Sequence, residues 1–144
     1  ATAESCTGGW IAKAITDVAG SSAVFGYGIV SYSNAAKTSM LGVQPEALTS
    51  QGAVSEVVVR EMAAGAIEAS GADLSVAVSG LAGPDGGSDD TPGGTVWLAW
   101  AVRTTNGIPI DVDRRLFEGA RETIRSQSVI LALQALRERL RRRG

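Results

Sequence analysis

The pattern of apolar and polar positions predicts alternating helices and strands along the chain. Apolar residues at helical spacing, with polar starts and glycine stops, predict helices over about residues 8–19, 34–41, 55–70 and 121–142. Runs rich in β-branched and aromatic residues, after a short strand end at the start of the chain, predict strands over residues 24–33, 74–79, 95–103 and 108–117. Asn106 and Gly107 form the turn of a hairpin, and Pro45 opens a turn or a single helical turn.

The order of these elements predicts an α/β fold: a three-layer α/β/α sandwich around a mixed, mostly parallel sheet of five to six strands. The strand-helix alternation of the first half predicts crossover connections and parallel strands, whose carboxyl ends share one edge of the sheet. Ser5, Tyr32 and the loop that begins at Gly80 are expected at that edge. The hairpin is expected to bring Thr95 and Arg121 to the same edge.

Length and composition narrow the class of protein. The 144 residues fit one domain, spanning 1–144. With 44% hydrophobic residues, 19% charged residues and a formal charge of -2, the chain reads as an ordinary soluble globular protein rather than a nucleic-acid-binding one. No apolar run is long enough to span a bilayer, and the single cysteine, Cys6, is compatible with a reducing compartment. We therefore expect a cytoplasmic protein with no nucleic-acid or membrane partner.

The absence of histidine restricts the available chemistry. A histidine count of zero excludes Ser-His and Cys-His catalytic pairs and the imidazole ligands of most zinc sites. A nucleophile in this chain therefore needs lysine, tyrosine, a carboxylate or an activated water as its base. We expect neither a metal site nor a cofactor.

Ser5 is the candidate nucleophile because it falls between a strand end and the start of a predicted helix. Free backbone N–H groups and the positive end of a helix dipole at such a position bind anions and stabilise oxyanions. The alternative is that Ser5 or Thr7 merely caps the helix. Position alone leaves both interpretations open.

Lys37 is the candidate base, since a lysine can accept a proton where burial or a nearby cation lowers its pKa. Tyr32, at the predicted strand end, is placed to bridge Ser5 and Lys37 as a proton relay or to fix the geometry of the lysine. The alternative is a solvated surface lysine and a core tyrosine with its hydroxyl at the rim.

The glycine-rich stretch from Gly80 to Gly94 is a candidate anion site. Such a loop can present its backbone N–H groups to phosphate or carboxylate, although a mobile surface loop is an equally simple interpretation. Arg121 and Arg125, one helical turn apart, are suited to holding a phosphate.

Five segments, in this order and across essentially the whole chain, resemble the CinA C-terminal domain family. They are Thr2–Gly9, Ser31–Asn34 with Lys37, Gly52–Ser55, Ser79–Gly87 and Gly94–Trp97. The resemblance implies an amidohydrolase that converts nicotinamide mononucleotide into nicotinic acid mononucleotide and ammonia, without a cofactor. The alternative is a non-catalytic domain that binds pyridine nucleotides or serves assembly in a larger protein.

The resemblance also implies the residues of the site. Ser5 is the expected nucleophile, with Tyr32 and Lys37 as its catalytic partners, and Cys6 is a remote second option for the nucleophile. Substrate-binding residues are expected at Cys6, Thr7, Gly8, Gly9, Asn34, Gly80, Ala82, Gly83, Thr95 and Arg121.

Two further expectations concern the elements that precede Ala1 and the oligomeric state. Family members usually carry a helix and a full strand before the first motif, so we expect these elements to precede Ala1 in a complete protein, which is either a stand-alone enzyme or the source of an excised domain. The apolar face and arginine-rich end of the last helix predict a homo-oligomer, a dimer or larger.

Overall fold

The computed structural model describes residues 1–143 and places helices on both faces of one five-stranded sheet. The strands are β1 (Thr2–Glu4), β2 (Gly28–Val30), β3 (Leu74–Gly80), β4 (Thr95–Val102) and β5 (Ile110–Leu116). The helices are α1 (Trp10–Thr16), α2 (Asn34–Leu41), α3 (Pro45–Gln51), α4 (Glu56–Ser70) and α5 (Arg121–Arg143). The predicted α/β class is confirmed.

The strands follow the order β2-β1-β3-β4-β5. β1 pairs in parallel with β2 and with β3, whereas β4 is antiparallel to both β3 and β5. Four strands therefore point the same way, and β4 alone among the described strands runs against them. The carboxyl ends of β1, β2 and β3 meet at one edge, which the start of β4 and the end of β5 share.

Alternation along β3 and β4 builds a core on each face of the sheet. Val76, Val78 and Leu98 pack with residues of α1 and α5 on one face. Ala77 and Ala99 point to the other face, where they meet α2, α3 and α4. Successive strand residues point to opposite faces, so this split is what a sheet covered by helices on both sides requires.

The predicted strand over residues 24–33 is wrong for most of its length. A 3₁₀ turn occupies Ser21–Ala23, and strand pairing is confined to Gly28–Val30. β2 is an edge strand whose neighbour β1 has three residues, so the pairing ends where β1 ends. Sequence pattern detects extended, apolar character, but the length of a strand also depends on its partner.

Two helices also differ from their predicted lengths. α1 ends at Thr16, short of the predicted residue 19, and turns follow it. α3 is a seven-residue helix rather than a single turn, with Pro45 at its first position and Gly52 after its end. Proline is well suited to the first helical position, where its missing N–H has no helical partner to lose.

α5 is the longest helix and covers one face of the sheet. Ile130 and Leu140 are about half exposed on it, at 51% and 53%. Oligomerisation through this helix stays a prediction. No helix within residues 1–143 has the combination of length and apolar character that crossing a membrane requires.

α2, which carries Lys37, approaches α4 closely at a glycine. Gly65 of α4 lies against the backbone of Leu41 at the end of α2, and a methyl group at Gly65 would overlap the carbonyl oxygen of Leu41. Leu41 and Met62 are buried in the same region. This contact helps to set the position of α2 and therefore that of Lys37.

We expect Gly65→Ala to destabilise the protein by about 2–4 kcal/mol, because the added methyl group forces α2 away from α4. Helix propensity alone predicts the opposite effect, an increase of about 1 kcal/mol in the free energy of unfolding. Urea unfolding of the variant decides between the two. Ala64→Gly, one residue earlier in the same helix, is the matched control and should cost about 1 kcal/mol. A stabilised Gly65→Ala variant would contradict the close approach.

Candidate active site

Ser5 is held at the carboxyl edge of the sheet between two strands. Its N–H donates to the carbonyl of Val78 in β3 at 3.0 Å. On the other side, the N–H of Ser31 donates to the carbonyl of Glu4 at 2.9 Å, so the chain after β2 stays beside the end of β1. Backbone hydrogen bonds therefore fix the position of Ser5 independently of its side chain.

α2 brings Lys37 to this edge. The Ser33 hydroxyl accepts a hydrogen bond from the N–H of Ala36 at 3.0 Å and caps the helix. Lys37 follows in the first turns, and its side chain is buried, with 1% of the residue exposed. The alternative of a solvated surface lysine is wrong.

The amine of Lys37 has three oxygen neighbours. Nζ lies 3.0 Å from Ser5 Oγ, 2.9 Å from the carbonyl oxygen of Ser31 and 3.1 Å from that of Tyr32. The two carbonyls can only accept hydrogen bonds. A neutral amine that donates both its N–H groups to them is left with its lone pair facing the Ser5 hydroxyl.

Burial favours this neutral form. It lowers the pKa of Lys37 from its ordinary value of 10.5, an effect that the neighbouring Cys6 thiol, when ionised, opposes. None of the ion pairs within residues 1–143 involves Lys37, so no carboxylate compensates its positive charge. A hydroxyl beside an amine with a lowered pKa can be activated as a nucleophile.

Glu4 is a buried residue of the site that sequence reasoning missed. Its carboxylate accepts hydrogen bonds from the Thr7 hydroxyl at 2.7 Å and from the N–H groups of Ile11 and Ala12 at 2.8 and 3.0 Å. It thereby supplies the cap that α1 lacks, since Gly9 at the start of this helix has no side chain. Neither Ser5 nor Thr7 caps α1, and the Thr7 hydroxyl is bonded to Glu4.

The thiol of Cys6 lies next to Ser5 but differs from it chemically. Burial raises the pKa of Cys6 to about 11, although the nearby Arg125 and Lys37 act in the opposite direction. The thiolate is the nucleophilic form, and at neutral pH a thiol with this pKa is almost entirely protonated. Cys6 therefore has the properties of a packing residue rather than of a reactive one.

Tyr32 and Arg121 meet at the mouth of the site. Arg121 donates to the Tyr32 hydroxyl at 3.1 Å and to the carbonyl of Gly83 at 2.8 Å. Tyr32 is 61% exposed, so it is not a core ring. Its hydroxyl points to Arg121, whereas its backbone carbonyl contacts Lys37. The expected bridge from the Tyr32 hydroxyl to Ser5 and Lys37 is absent from the hydrogen bonds within residues 1–143.

A cavity of about 240 Å³ joins these residues. Nine predicted site residues line it: Ser5, Cys6, Tyr32, Asn34, Lys37, Gly80, Ala82, Gly83 and Arg121. Four others do not: Thr7, Gly8, Gly9 and Thr95. Thr95 is fully buried and donates its hydroxyl hydrogen bond to the carbonyl of Pro92, which accounts for its place outside the cavity.

Two backbone N–H groups directly after Ser5, those of Cys6 and Thr7, have no hydrogen-bond acceptor in the described part of the chain. The N–H of Gly8, by contrast, donates to the carbonyl of Ser5 at 3.0 Å. A pair of free N–H groups directly after a nucleophile is the arrangement that stabilises an oxyanion.

Comparison with known proteins identifies the family of this chain. The family model of the CinA C-terminal domain matches residues 1–140. This chain belongs to that family. The resemblance that the sequence motifs suggested is therefore confirmed.

Several relatives carry the name nicotinamide-nucleotide amidohydrolase PncC, among them proteins of Escherichia coli and Pseudomonas putida. The protein of Escherichia coli strain K12 is 56% identical over 135 residues, which cover 94% of this chain and 80% of the relative. That of Pseudomonas putida is 60% identical over 136 residues, covering 94% and 82%. Among solved structures, the competence damage-inducible protein A of Klebsiella pneumoniae superposes with a TM-score of 0.90 at 45% identity, over 96% of this chain and 84% of that one.

Family motifs also contain the cavity residues that were not predicted. Ala53 and Val54 precede α4, and Ser79, Leu81 and Asp85 belong to β3 and its following loop. A helix that leads into a parallel strand runs against it and so begins at the edge where the strand ends. The start of α4 could therefore have been placed at the site from topology alone.

The lowered pKa of Lys37 predicts how stability varies with pH. The unfolded lysine, with a pKa near 10.5, binds its proton more tightly than the folded one. Stability therefore rises with pH between the folded-state pKa and 10.5, by up to about 1.4 kcal/mol per pH unit. We expect the unsubstituted parent protein to gain stability relative to Lys37→Met in urea unfolding as the pH rises toward 10.5.

Lys13→Met is the matched control for this measurement. Lys13 is the only other lysine of the sequence, and it is exposed and paired with Asp17 at 2.7 Å. Its removal should leave the pH slope of the parent nearly unchanged in this range. Equal slopes for the parent and Lys37→Met would show that burial leaves the lysine charged.

Proposed function

We propose that this chain deamidates nicotinamide mononucleotide to nicotinic acid mononucleotide and ammonia, with Ser5 as the nucleophile. The observation that carries the proposal is the 3.0 Å contact between Ser5 Oγ and the buried Lys37 Nζ, whose two other neighbours are carbonyl oxygens. The names of the PncC relatives, at 56% and 60% identity, support the choice of substrate.

In the first step, neutral Lys37 accepts the proton of the Ser5 hydroxyl while Ser5 Oγ attacks the carboxamide carbon. A C–O bond forms, and the carboxamide oxygen takes the negative charge. The free N–H groups of Cys6 and Thr7 are proposed to stabilise this oxyanion, because they require no rearrangement when the charge develops.

In the second step, the tetrahedral intermediate collapses. The C–N bond breaks, and the ammonium form of Lys37 returns its proton to the leaving nitrogen, so that ammonia departs and an ester of Ser5 remains. A water molecule then attacks the ester with Lys37 again as the base. Release of the acid restores the Ser5 hydroxyl and the neutral amine.

Tyr32 and Arg121 are proposed to bind the nucleotide at the mouth of the cavity. A guanidinium group forms paired, charge-assisted hydrogen bonds with phosphate oxygens. Arg121 already donates to the Tyr32 hydroxyl and to the Gly83 carbonyl, so a bound phosphate would exchange one or both of these contacts. In this proposal Tyr32 contributes to binding through its hydroxyl and to catalysis through its carbonyl, which accepts a hydrogen bond from Lys37.

Ser5→Ala is expected to abolish ammonia release from nicotinamide mononucleotide, whereas Cys6→Ala should keep substantial activity. The two residues are adjacent, but burial keeps the Cys6 thiol protonated, with a pKa of about 11. The assay is ammonia release by each purified variant, after its urea unfolding has been compared with that of the parent. Loss of activity in a folded Cys6→Ala variant, with Ser5→Ala still active, would reverse the assignment.

A folded parent that binds the nucleotide but releases no ammonia would support the other candidate function, a nucleotide-binding or assembly module. Calorimetric titration of the parent with nicotinamide mononucleotide separates binding from turnover. The same titration with nicotinic acid mononucleotide tells whether the cavity accepts the acid product.

Lys37→Met is expected to lower kcat by about 10³-fold while leaving nucleotide affinity nearly unchanged, because it removes the base but keeps an unbranched side chain of similar length. Kinetics and calorimetric titration measure the two quantities. Lys13→Met, which removes the exposed lysine, should match the parent in both. Undiminished kcat in Lys37→Met would exclude the lysine as base.

A further inference from the structure

Arg125 of α5 reaches the turn that follows Ser5. Its Nε donates to the carbonyl of Cys6 at 3.0 Å and its Nη2 donates to the carbonyl of Thr7 at 3.2 Å. The guanidinium carbon also lies 5.6 Å from the centroid of the Trp10 ring. Arg125 does not line the cavity that the described residues form. It therefore contacts the turn from outside the cavity.

The turn contains two glycines and two backbone hydrogen bonds of its own, from the N–H of Gly8 to the Ser5 carbonyl and from the N–H of Trp10 to the Thr7 carbonyl, each at 3.0 Å. Gly8 and Gly9 adopt φ values of +61° and +102°, a region that glycine enters without a steric cost. Their lack of side chains leaves them no packing of their own. The Cys6 carbonyl accepts neither of these hydrogen bonds, and within residues 1–143 its donor is Arg125.

Peptide geometry connects these carbonyls to the N–H groups of the site. In a trans peptide, the C=O and the following N–H point in opposite directions. The Thr7 carbonyl faces Arg125, and the N–H of Gly8 in the same peptide turns back to the Ser5 carbonyl. The Cys6 carbonyl also faces Arg125, so the N–H of Thr7 points away from α5, and it donates to no acceptor within residues 1–143.

We infer that Arg125 is a positioning residue that holds the Cys6–Thr7 peptide in the orientation that leaves the Thr7 N–H free to stabilise an oxyanion. A flip of this peptide would put the Cys6 carbonyl oxygen where the N–H had been. A partial negative charge would then face the developing oxyanion. The inference rests on the proposed function, since the oxyanion is that of the amide hydrolysis.

The identity of the side chain matters to this role. Arginine offers several donors in a rigid planar group, and Arg125 uses two of them on two successive carbonyls. A lysine has one flexible ammonium group, which can satisfy one carbonyl well but cannot reproduce the fixed pair. We therefore expect the kcat of Arg125→Lys to lie between that of the parent and that of a variant with no donor at this position.

The kinetic test compares Arg125→Met with the parent in ammonia release from nicotinamide mononucleotide. Methionine keeps an apolar stem beside Trp10 but removes both donors. We expect kcat to fall by about 10²-fold, as for loss of one oxyanion donor, with KM changed by less than about threefold. Arg125→Lys should recover part of kcat. Arg137→Met removes an exposed arginine of the same helix and should match the parent.

Crystal structures of the parent and Arg125→Met provide a readout that does not depend on activity. We expect the Cys6–Thr7 peptide of the variant to be flipped or to occupy two orientations. An unchanged, ordered peptide, or a kcat within about twofold of the parent, overturns the inference. Should Arg125→Met fail to fold, Arg125→Lys takes its place in both measurements. A parent that releases no ammonia refutes the proposed function, and the comparison of peptide orientation still decides the role of Arg125.

Discussion

The burial of the Lys37 amine is the constraint on which the rest of the site depends. An amine removed from water, with no carboxylate to pair with, is driven toward its neutral form. The two carbonyl oxygens of Ser31 and Tyr32 then use its N–H groups and leave its lone pair for Ser5. This requires the end of β2 to lie beside β1, and α2 to press against α4 where Gly65 allows the closest approach. The scaffold thus lowers the pKa of a single side chain by keeping it out of water.

The turn after Ser5 is held by opposite charges from two directions. The Glu4 carboxylate binds the Thr7 hydroxyl and the first N–H groups of α1, whereas the Arg125 guanidinium binds the carbonyls of Cys6 and Thr7. Donors and acceptors of the turn are therefore satisfied on the side away from the cavity. The N–H groups that remain free need no reorganisation to meet a charge, which is the source of most electrostatic stabilisation in enzymes.

The cavity has a buried end and a solvent-exposed mouth, which the proposed function assigns to chemistry and to recognition. Ser5 and Lys37 lie at its buried end, where a low dielectric strengthens their interaction. Tyr32 and Arg121 lie at its solvent-exposed mouth, joined to the glycine-rich loop through the Gly83 carbonyl. Under the proposed function, changes at the mouth alter substrate binding and leave the contact between Ser5 and Lys37 in place.

The sequence by itself determined the layered α/β fold and the meeting of Ser5, Tyr32 and the glycine loop at one edge, because periodicity predicts the elements and the crossover rule sets the direction of the strands. It also narrowed the chemistry, since a chain without histidine needs another base. Only the tertiary structure decided the rest. It buried Lys37, and it brought the Tyr32 hydroxyl to Arg121 and the Arg125 guanidinium to the carbonyl of Cys6. These contacts join residues that lie far apart in the sequence, so no local sequence pattern predicts them. The exclusion of water from a side chain and the direction in which it points depend on how helices and strands pack together, so only the folded chain shows them.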